Sequence, residues 1–179
     1  MTISFEPPLE TDIDMELARG CIAPNNAVLP QDVLVAIAAG LAEVSPPWDL
    51  RPGDSPTERH YERILATELY EAWLIYWPPG TGLDLHDHGD SAGAFAVVDG
   101  ALDETAIGDG RVDTRRLVEG ETSSFAAGQV HGVANSGHRS ATSVHVYSPP
   151  IVAMNYYALG VDGAVSASRR DAGNWEPRR

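Results

Sequence analysis

Apolar residues recur every three or four positions along residues 30–44, a spacing typical of an amphipathic helix. Pro30 lies near the predicted start and Gly40 near the predicted end, where these residue types are favoured. Residues 57–70, TERHYERILATELY, are predicted to open as a short helix and then to extend. The apolar stripe of the first helix, which we expect to face the core, consists of Val33, Leu34, Ile37 and Leu41.

From residue 71 onward, short apolar or alternating runs follow one another, separated by Gly, Pro and Asp. This pattern is typical of an antiparallel barrel or sandwich, so we predict an all-β fold with a helical N-terminal segment. The predicted organisation is a single domain. It has a helical lead-in packed on the barrel over 1–55, the barrel over 56–160 and a solvated C-terminal extension over 161–179. The predicted strands contain the runs AWLIYW, GAFAVVDG, RRLVEG, GVAN and TSVHVYSPP.

Composition narrows the range of partners. The 179-residue chain carries a formal net charge of -14, which disfavours nucleic acids and anionic membrane surfaces. No apolar run approaches the length of about 20 residues that spans a bilayer, and the acidic N-terminus lacks the basic region of a signal peptide. We therefore expect a cytoplasmic protein, as a monomer or a weak homo-oligomer. Cys21 has no second cysteine to pair with and is interpreted as a small buried hydrophobe.

The histidines suggest a metal site. His86 and His88 flank Asp87, and on a strand two residues at i and i+2 point to the same face. His131, in the turn-rich run GQVHGVAN, is the best candidate for a third imidazole. Three neutral imidazoles bind Fe, Zn, Cu or Ni, and without a carboxylate they leave room for an anionic atom such as a thiolate. Alternatively, a His-x-His pair on a strand can be two polar residues on a solvated face.

Two longer motifs contain these histidines. The glycines and histidines of residues 80–100 have a spacing that resembles the first motif of the cupin superfamily, with Gly93 where cupins usually carry a glutamate ligand. Residues 120–135 resemble the second cupin motif, with Ala126 in place of the usual proline. The resemblance implies a cupin jelly-roll β-barrel.

Within the cupins, a three-histidine site without glutamate is similar to that of the cysteine dioxygenase family of thiol dioxygenases. The stretches HDHGDSAG, SVHVYSPP at 143–150 and YERIL at 61–65 resemble segments of that family, and the resemblance covers residues 57–157. It implies that His86, His88 and His131 bind Fe(II). It also implies oxidation of L-cysteine to cysteine sulfinate with both atoms of O₂.

The same resemblance gives roles to further residues. Arg63 would bind the substrate carboxylate, with Tyr61 nearby. Tyr147 would place its hydroxyl over the iron, held by His145 and Ser143. Independently of the resemblance, positions 143, 145 and 147 share one strand face and are suited to a chain of hydrogen bonds.

Several alternatives stay open. Taken alone, Arg63 lies in an acidic stretch, where an arginine is more often half of a surface ion pair. A second substrate class is a thiol carboxylate without an amine, such as 3-mercaptopropionate, and a second function is that of a non-catalytic metal-binding cupin. Some family members carry a cysteine at the position of Gly93, cross-linked to the tyrosine that corresponds to Tyr147. This chain lacks that cysteine, so we expect an unmodified phenol. The resemblance also implies a cis Ser148–Pro149 bond.

Overall fold

The computed structural model describes residues 28–44, 57–108, 111–160 and 164–171. The other positions, including Cys21 and most of the predicted lead-in, lie outside the described residues. Within the described part the chain forms one helix and eleven strands. In chain order they are α1 (Gln31–Glu43), β1 (His60–Ala66), β2 (Glu71–Trp77), β3 (Gly82–Asp87), β4 (Ala92–Asp99), β5 (Ala101–Gly108), β6 (Arg111–Val118), β7 (Thr122–Phe125), β8 (His131–Ala134), β9 (Ala141–Ser148), β10 (Met154–Leu159) and β11 (Val165–Asp171).

The strands form two antiparallel sheets. One sheet has the order β1-β2-β9-β4-β7 and the other the order β11-β10-β3-β8-β5-β6. Their inner faces share a core cluster in which Trp77 and Phe95 of the first sheet lie with Leu102 and Val133 of the second. This arrangement confirms the predicted all-β fold and the cupin jelly roll. The described part of the chain holds no helix long and apolar enough to cross a bilayer.

Helix α1 packs on the outer face of the five-stranded sheet. Leu34 and Ala38 are fully buried there, against small or branched side chains of β2, β4 and β9. The predicted stripe is wrong at Val33, which is 39% exposed. Residues 34 and 38 share a face four positions apart, and Val33 lies to the side of it. Gly40 lies inside the helix, which continues to Glu43.

Two stretches differ from their predicted structure. Residues 57–59 form no helix, and β1 begins at His60 because its backbone pairs with β2. In the C-terminal region, β11 pairs with β10 at the sheet edge. Nearly all side chains of β11 are exposed, so its sequence carries no apolar alternation that would predict a strand. The Ser148–Pro149 bond at the end of β9 is cis, as the resemblance implies.

We expect Leu34→Ala to lower the free energy of unfolding by about 2–5 kcal/mol, because it leaves a cavity between α1 and the sheet. The matched variant Val33→Ala, on the neighbouring exposed position, should change it by about 0.5 kcal/mol or less. Urea denaturation of the full chain measures both values. Equal losses in the two variants would contradict the observed orientation of the helix.

Candidate metal centre and adjoining cavity

Pairing of β3 with β8 brings the three predicted histidines together. His86 on β3 is in register with His131 on β8, and His88 follows directly after β3. All three side chains are buried, and their ligand nitrogens lie within 4.8 Å of one another. His88 Nε2 and His131 Nε2 are 3.3 Å apart. Two nitrogens each about 2.1 Å from one metal ion in tetrahedral geometry are separated by a similar distance.

Hydrogen bonds orient two of these rings. The Nδ1–H of His86 donates to the backbone carbonyl of Asp84 at 2.6 Å, and the Nδ1–H of His131 donates to Glu104 Oε1 at 3.0 Å. Because both partners are acceptors, the Nε2 lone pairs are left for a metal. Burial raises the pKa of Glu104, but the hydrogen bonds from His131 and Ser123 outweigh it and hold the pKa below its usual range.

Burial keeps His86 and His88 uncharged. It lowers the pKa of His86 to about 3, with a further contribution from the neighbouring His131. It also lowers the pKa of His88 well below its usual value. The Nδ1 of His88 is buried and has no hydrogen-bond partner among the described residues. A set of three neutral imidazoles fits a divalent transition metal, so the residues present are suited to hold one.

Asp84 and Asp87 stay out of the cluster. The Asp84 side chain is exposed to solvent. The Asp87 carboxylate accepts hydrogen bonds from the Tyr157 hydroxyl, the Asn155 amide and the backbone N–H of Gly89. It therefore braces the turn after β3 and does not turn toward the three imidazoles.

Phe125 occupies the space beside Gly93, where cupins usually place a fourth ligand. The two residues are paired across β4 and β7, and a Cβ atom at position 93 would lie 2.5 Å from Phe125 Cε2. The Phe125 ring stacks on His88 and contacts His131, with ring centroids 5.2 Å and 4.2 Å apart. An aromatic wall thus takes the volume that a carboxylate would need.

A row of hydrogen-bonded side chains on β9, which begins at Trp77 of β2, leads to the histidine cluster. Trp77 Nε1–H donates to Ser143 Oγ at 2.8 Å, and Ser143 Oγ lies 2.9 Å from His145 Nε2. His145 Nδ1 in turn lies 3.2 Å from the Tyr147 hydroxyl, and the Tyr147 ring centroid is 4.6 Å from that of His88. Burial lowers the pKa of His145 well below its usual value and raises the pKa of Tyr147. The row is therefore uncharged at neutral pH.

A cavity opens beside the histidines, between the two sheets. Tyr147 and Tyr156 line it and contact His88 and His86, respectively. The rest of the wall is mainly apolar, from Trp73, Ile75, Leu83, Ile151 and Met154.

The cavity contains a cation that has no anionic partner in the described part of the chain. Arg59 lines the wall, and its Nη1 is fully buried without a hydrogen-bond acceptor. The guanidinium carbon lies 5.1 Å from the Trp77 ring centroid and 5.9 Å from that of Tyr61. Burial lowers the pKa of Arg59, which the nearby Tyr147 opposes. A buried cation in this setting is costly unless an anion completes it.

The predicted substrate residues divide between the cavity and its surroundings. Tyr61 lines the cavity, but Arg63 is not among the lining residues. Arg63 Nη1 instead lies 3.5 Å from Oε2 of the buried Glu71, with the guanidinium carbon 5.6 Å from the Trp73 ring centroid.

Sequence reasoning missed two residues of the site. Arg59, Tyr61 and Arg63 are spaced two residues apart, so the sequence predicts that they share one face of the strand. The sequence does not indicate which of the two arginines enters the cavity. Glu104 is a buried acid on a strand whose run ALDETAIG was not among the predicted ones.

When the chain is compared with known proteins, one family model matches it. The model of the family "Cysteine dioxygenase type I" matches residues 56–159. Among similar solved structures, TT1209 from Thermus thermophilus has a TM-score of 0.48 and 22% identity, over 54% of this chain and 88% of its own. An uncharacterised conserved protein with a double-stranded β-helix domain from Klebsiella pneumoniae has a TM-score of 0.47 and 21% identity, over 80% and 98%. The cupin domain of Schizosaccharomyces pombe Cnp3 has a TM-score of 0.47 and 13% identity, over 54% and 65%.

We expect Glu104→Gln to weaken metal binding by about 10- to 100-fold, because it removes the negative charge that orients and polarises His131. The control is Asp103→Asn on the same strand, since Asp103 pairs with Arg116 at the surface. Competition with a chelator of known affinity, using Zn(II) and Fe(II), measures the effect. Unchanged affinity in Glu104→Gln would show that the carboxylate does not support the ligand.

Proposed function

Because the chain belongs to the cysteine dioxygenase type I family, we propose that it oxidises L-cysteine to cysteine sulfinate. In this reaction the thiol gains both atoms of one O₂ molecule and no other oxidant is needed. The proposed metal is Fe(II), held by His86, His88 and His131. The observation that carries the proposal is a buried three-histidine cluster next to a cavity that contains a cation. Among the described residues, the cluster has no carboxylate and the cation has no anionic partner.

Three neutral ligands suit this chemistry electrostatically. Fe(II) bound there would supply adjacent positions for a thiolate and for dioxygen. Because the three ligands are imidazoles and not carboxylates, an anionic substrate would balance the charge of a metal held there. The exclusion of acids from the cluster, by Phe125 beside Gly93, is therefore part of the proposed selectivity for an anionic sulfur ligand.

We assign the substrate carboxylate to Arg59 in place of Arg63, the residue named by the family resemblance. Arg59 is in the cavity wall, and its buried Nη1 has no hydrogen-bond partner among the described residues, whereas Arg63 already faces the carboxylate of Glu71. A guanidinium can hold a carboxylate through two parallel hydrogen bonds, and stacking on Trp77 and Tyr61 limits its motion. Tyr61 has the same proposed substrate-binding role as a wall residue.

Tyr147 is the proposed catalytic group next to the metal, with His145 and Ser143 as positioning residues. The Tyr147 ring contacts His88 and the residue lines the cavity, so this side chain borders both the histidine cluster and the cavity. Burial raises its pKa, which keeps the proton on the phenol and makes it a hydrogen-bonding group of fixed charge.

A second candidate substrate is a thiol carboxylate without an amine, such as 3-mercaptopropionate. None of the described residues that line the cavity is acidic, so a substrate ammonium group has no carboxylate partner there. Cysteine would fit this cavity if its amine were neutral and bound to the metal. A thiol carboxylate without an amine needs no acidic partner and would fit the same cavity without that condition.

Oxygen consumption by the iron-loaded protein tests the function. We expect uptake with cysteine and with 3-mercaptopropionate, and much less with cysteamine, which has no carboxylate for Arg59. Sulfinate should form in equal amount to the O₂ consumed. An iron-loaded protein that consumes no oxygen with any small thiol would instead support the non-catalytic metal-binding cupin.

Paired variants test the substrate cation. Arg59→Gln should lower kcat/KM for cysteine by about 10- to 100-fold, because hydrogen bonds to a charged group are lost. Activity on cysteamine should stay low and unchanged in this variant, since that thiol makes no such contact. Arg63→Gln should change kcat/KM for cysteine by less than about threefold. A larger loss of kcat/KM in Arg63→Gln than in Arg59→Gln would show that Arg63 binds the substrate carboxylate.

A further inference from the structure

We propose that Trp77 is a positioning residue that directs the hydrogen bonds of the β9 row, so that the Tyr147 hydroxyl donates its proton into the cavity. What that donor does for the reaction depends on the proposed function. The direction of the hydrogen bonds does not, since it follows from the geometry of the row alone.

Trp77 begins the row with a group that can only donate. Its indole N–H lies 2.8 Å from Ser143 Oγ, and the two side chains are 1% and 0% exposed. In the described part of the chain, the Ser143 hydroxyl has one other partner, His145 Nε2 at 2.9 Å. A hydroxyl has one proton to give, and here His145 Nε2 is the acceptor within reach.

This choice sets the tautomer of His145. A neutral imidazole carries one N–H, so if Nε2 accepts from Ser143, the proton lies on Nδ1. That N–H then donates to the Tyr147 oxygen at 3.2 Å. The proton of Tyr147 itself is not used in the row and is free to point toward the cavity that Tyr147 lines.

The opposite direction leaves the Ser143 proton without an acceptor among the described residues. If Tyr147 donated to His145 Nδ1, then His145 Nε2–H and Trp77 Nε1–H would both donate to Ser143 Oγ. The Ser143 proton would then be fully buried without an acceptor in the described residues, a costly state. The proposed direction instead leaves the free proton at Tyr147, where a bound anion can accept it.

Trp77 therefore acts at a distance from the metal. It closes the buried end of the row with a donor, so the Ser143 proton is directed to His145. Together with Arg59, which stacks on the Trp77 ring, the Tyr147 hydroxyl gives the cavity two donors for an anionic ligand. Trp77→Phe keeps an aromatic face for Arg59 and removes the N–H.

The experiment is ¹⁵N NMR of the histidine rings in the full-length chain, loaded with Zn(II) because Zn(II) is diamagnetic. In wild type we expect the His145 proton on Nδ1. In Trp77→Phe and in Ser143→Ala we expect the Nδ1–H signal to be lost or to be averaged with that of the Nε2–H tautomer. If Trp77→Phe does not fold, Ser143→Ala supplies the same readout.

Trp73→Phe is the matched control. Trp73 lies on the same strand and is 5% exposed, but its Nε1 has no hydrogen-bond partner in the described chain. It should therefore leave the His145 tautomer as in wild type. A wild-type proton on Nε2, or an unchanged tautomer in folded Trp77→Phe, would overturn the proposal, and so would an unchanged tautomer in Ser143→Ala. These outcomes are readable even if the protein turns over no thiol.

Turnover gives a second, independent readout. Trp77→Phe should lower kcat for cysteine while KM changes by less than about twofold, because ground-state binding by Arg59 is retained. In a Tyr147→Phe background, the same substitution should cause no further loss of kcat. Losses that add fully in the double variant would show that Trp77 does not act through Tyr147.

Discussion

The backbone pairing of β3 with β8 is the constraint on which the rest of the site depends. It sets His86 opposite His131 in adjacent strands and lets the chain turn at Gly89 so that His88 joins them. Because side chains alternate along a strand, a slip of one residue would send an imidazole to the other face of the sheet. The Asp87 carboxylate, held by Asn155 and Tyr157 on β10, ties the end of β3 to its other neighbour and opposes such a slip.

Charge is distributed unevenly in this molecule. The chain as a whole carries -14, yet the lining of its cavity contains a cation and no acid among the described residues. Two other buried acids are already engaged, Glu104 by His131, Ser123 and Arg115, and Glu71 by Arg63 and the backbone of Ile151. A small anion in the cavity therefore meets a local charge opposite in sign to that of the chain as a whole, at close range where screening is weak.

Sequence alone predicted the local parts of this site. The alternation along β9 placed Ser143, His145 and Tyr147 on one face, because period-two alternation needs no knowledge of other strands. The three histidines as a set came from the resemblance of two motifs to those of a known family. Period-two alternation also puts Arg59, Tyr61 and Arg63 on one face of the β1 stretch. Which arginine lines the cavity depends on a contact between strands, because Arg63 pairs with Glu71 of the neighbouring strand while Arg59 lines the cavity. Likewise, the contact between Glu104 and His131 exists because β5 lies beside β8, which no local pattern encodes.

The close approach of Phe125 to Gly93 has a consequence for how such a site can diverge. A lineage that gained any side chain at position 93 while keeping the phenylalanine would first pass through a form whose interior is overfilled next to two metal ligands. A side chain at position 93 therefore has room in this fold only if the residue at position 125 shrinks or moves with it.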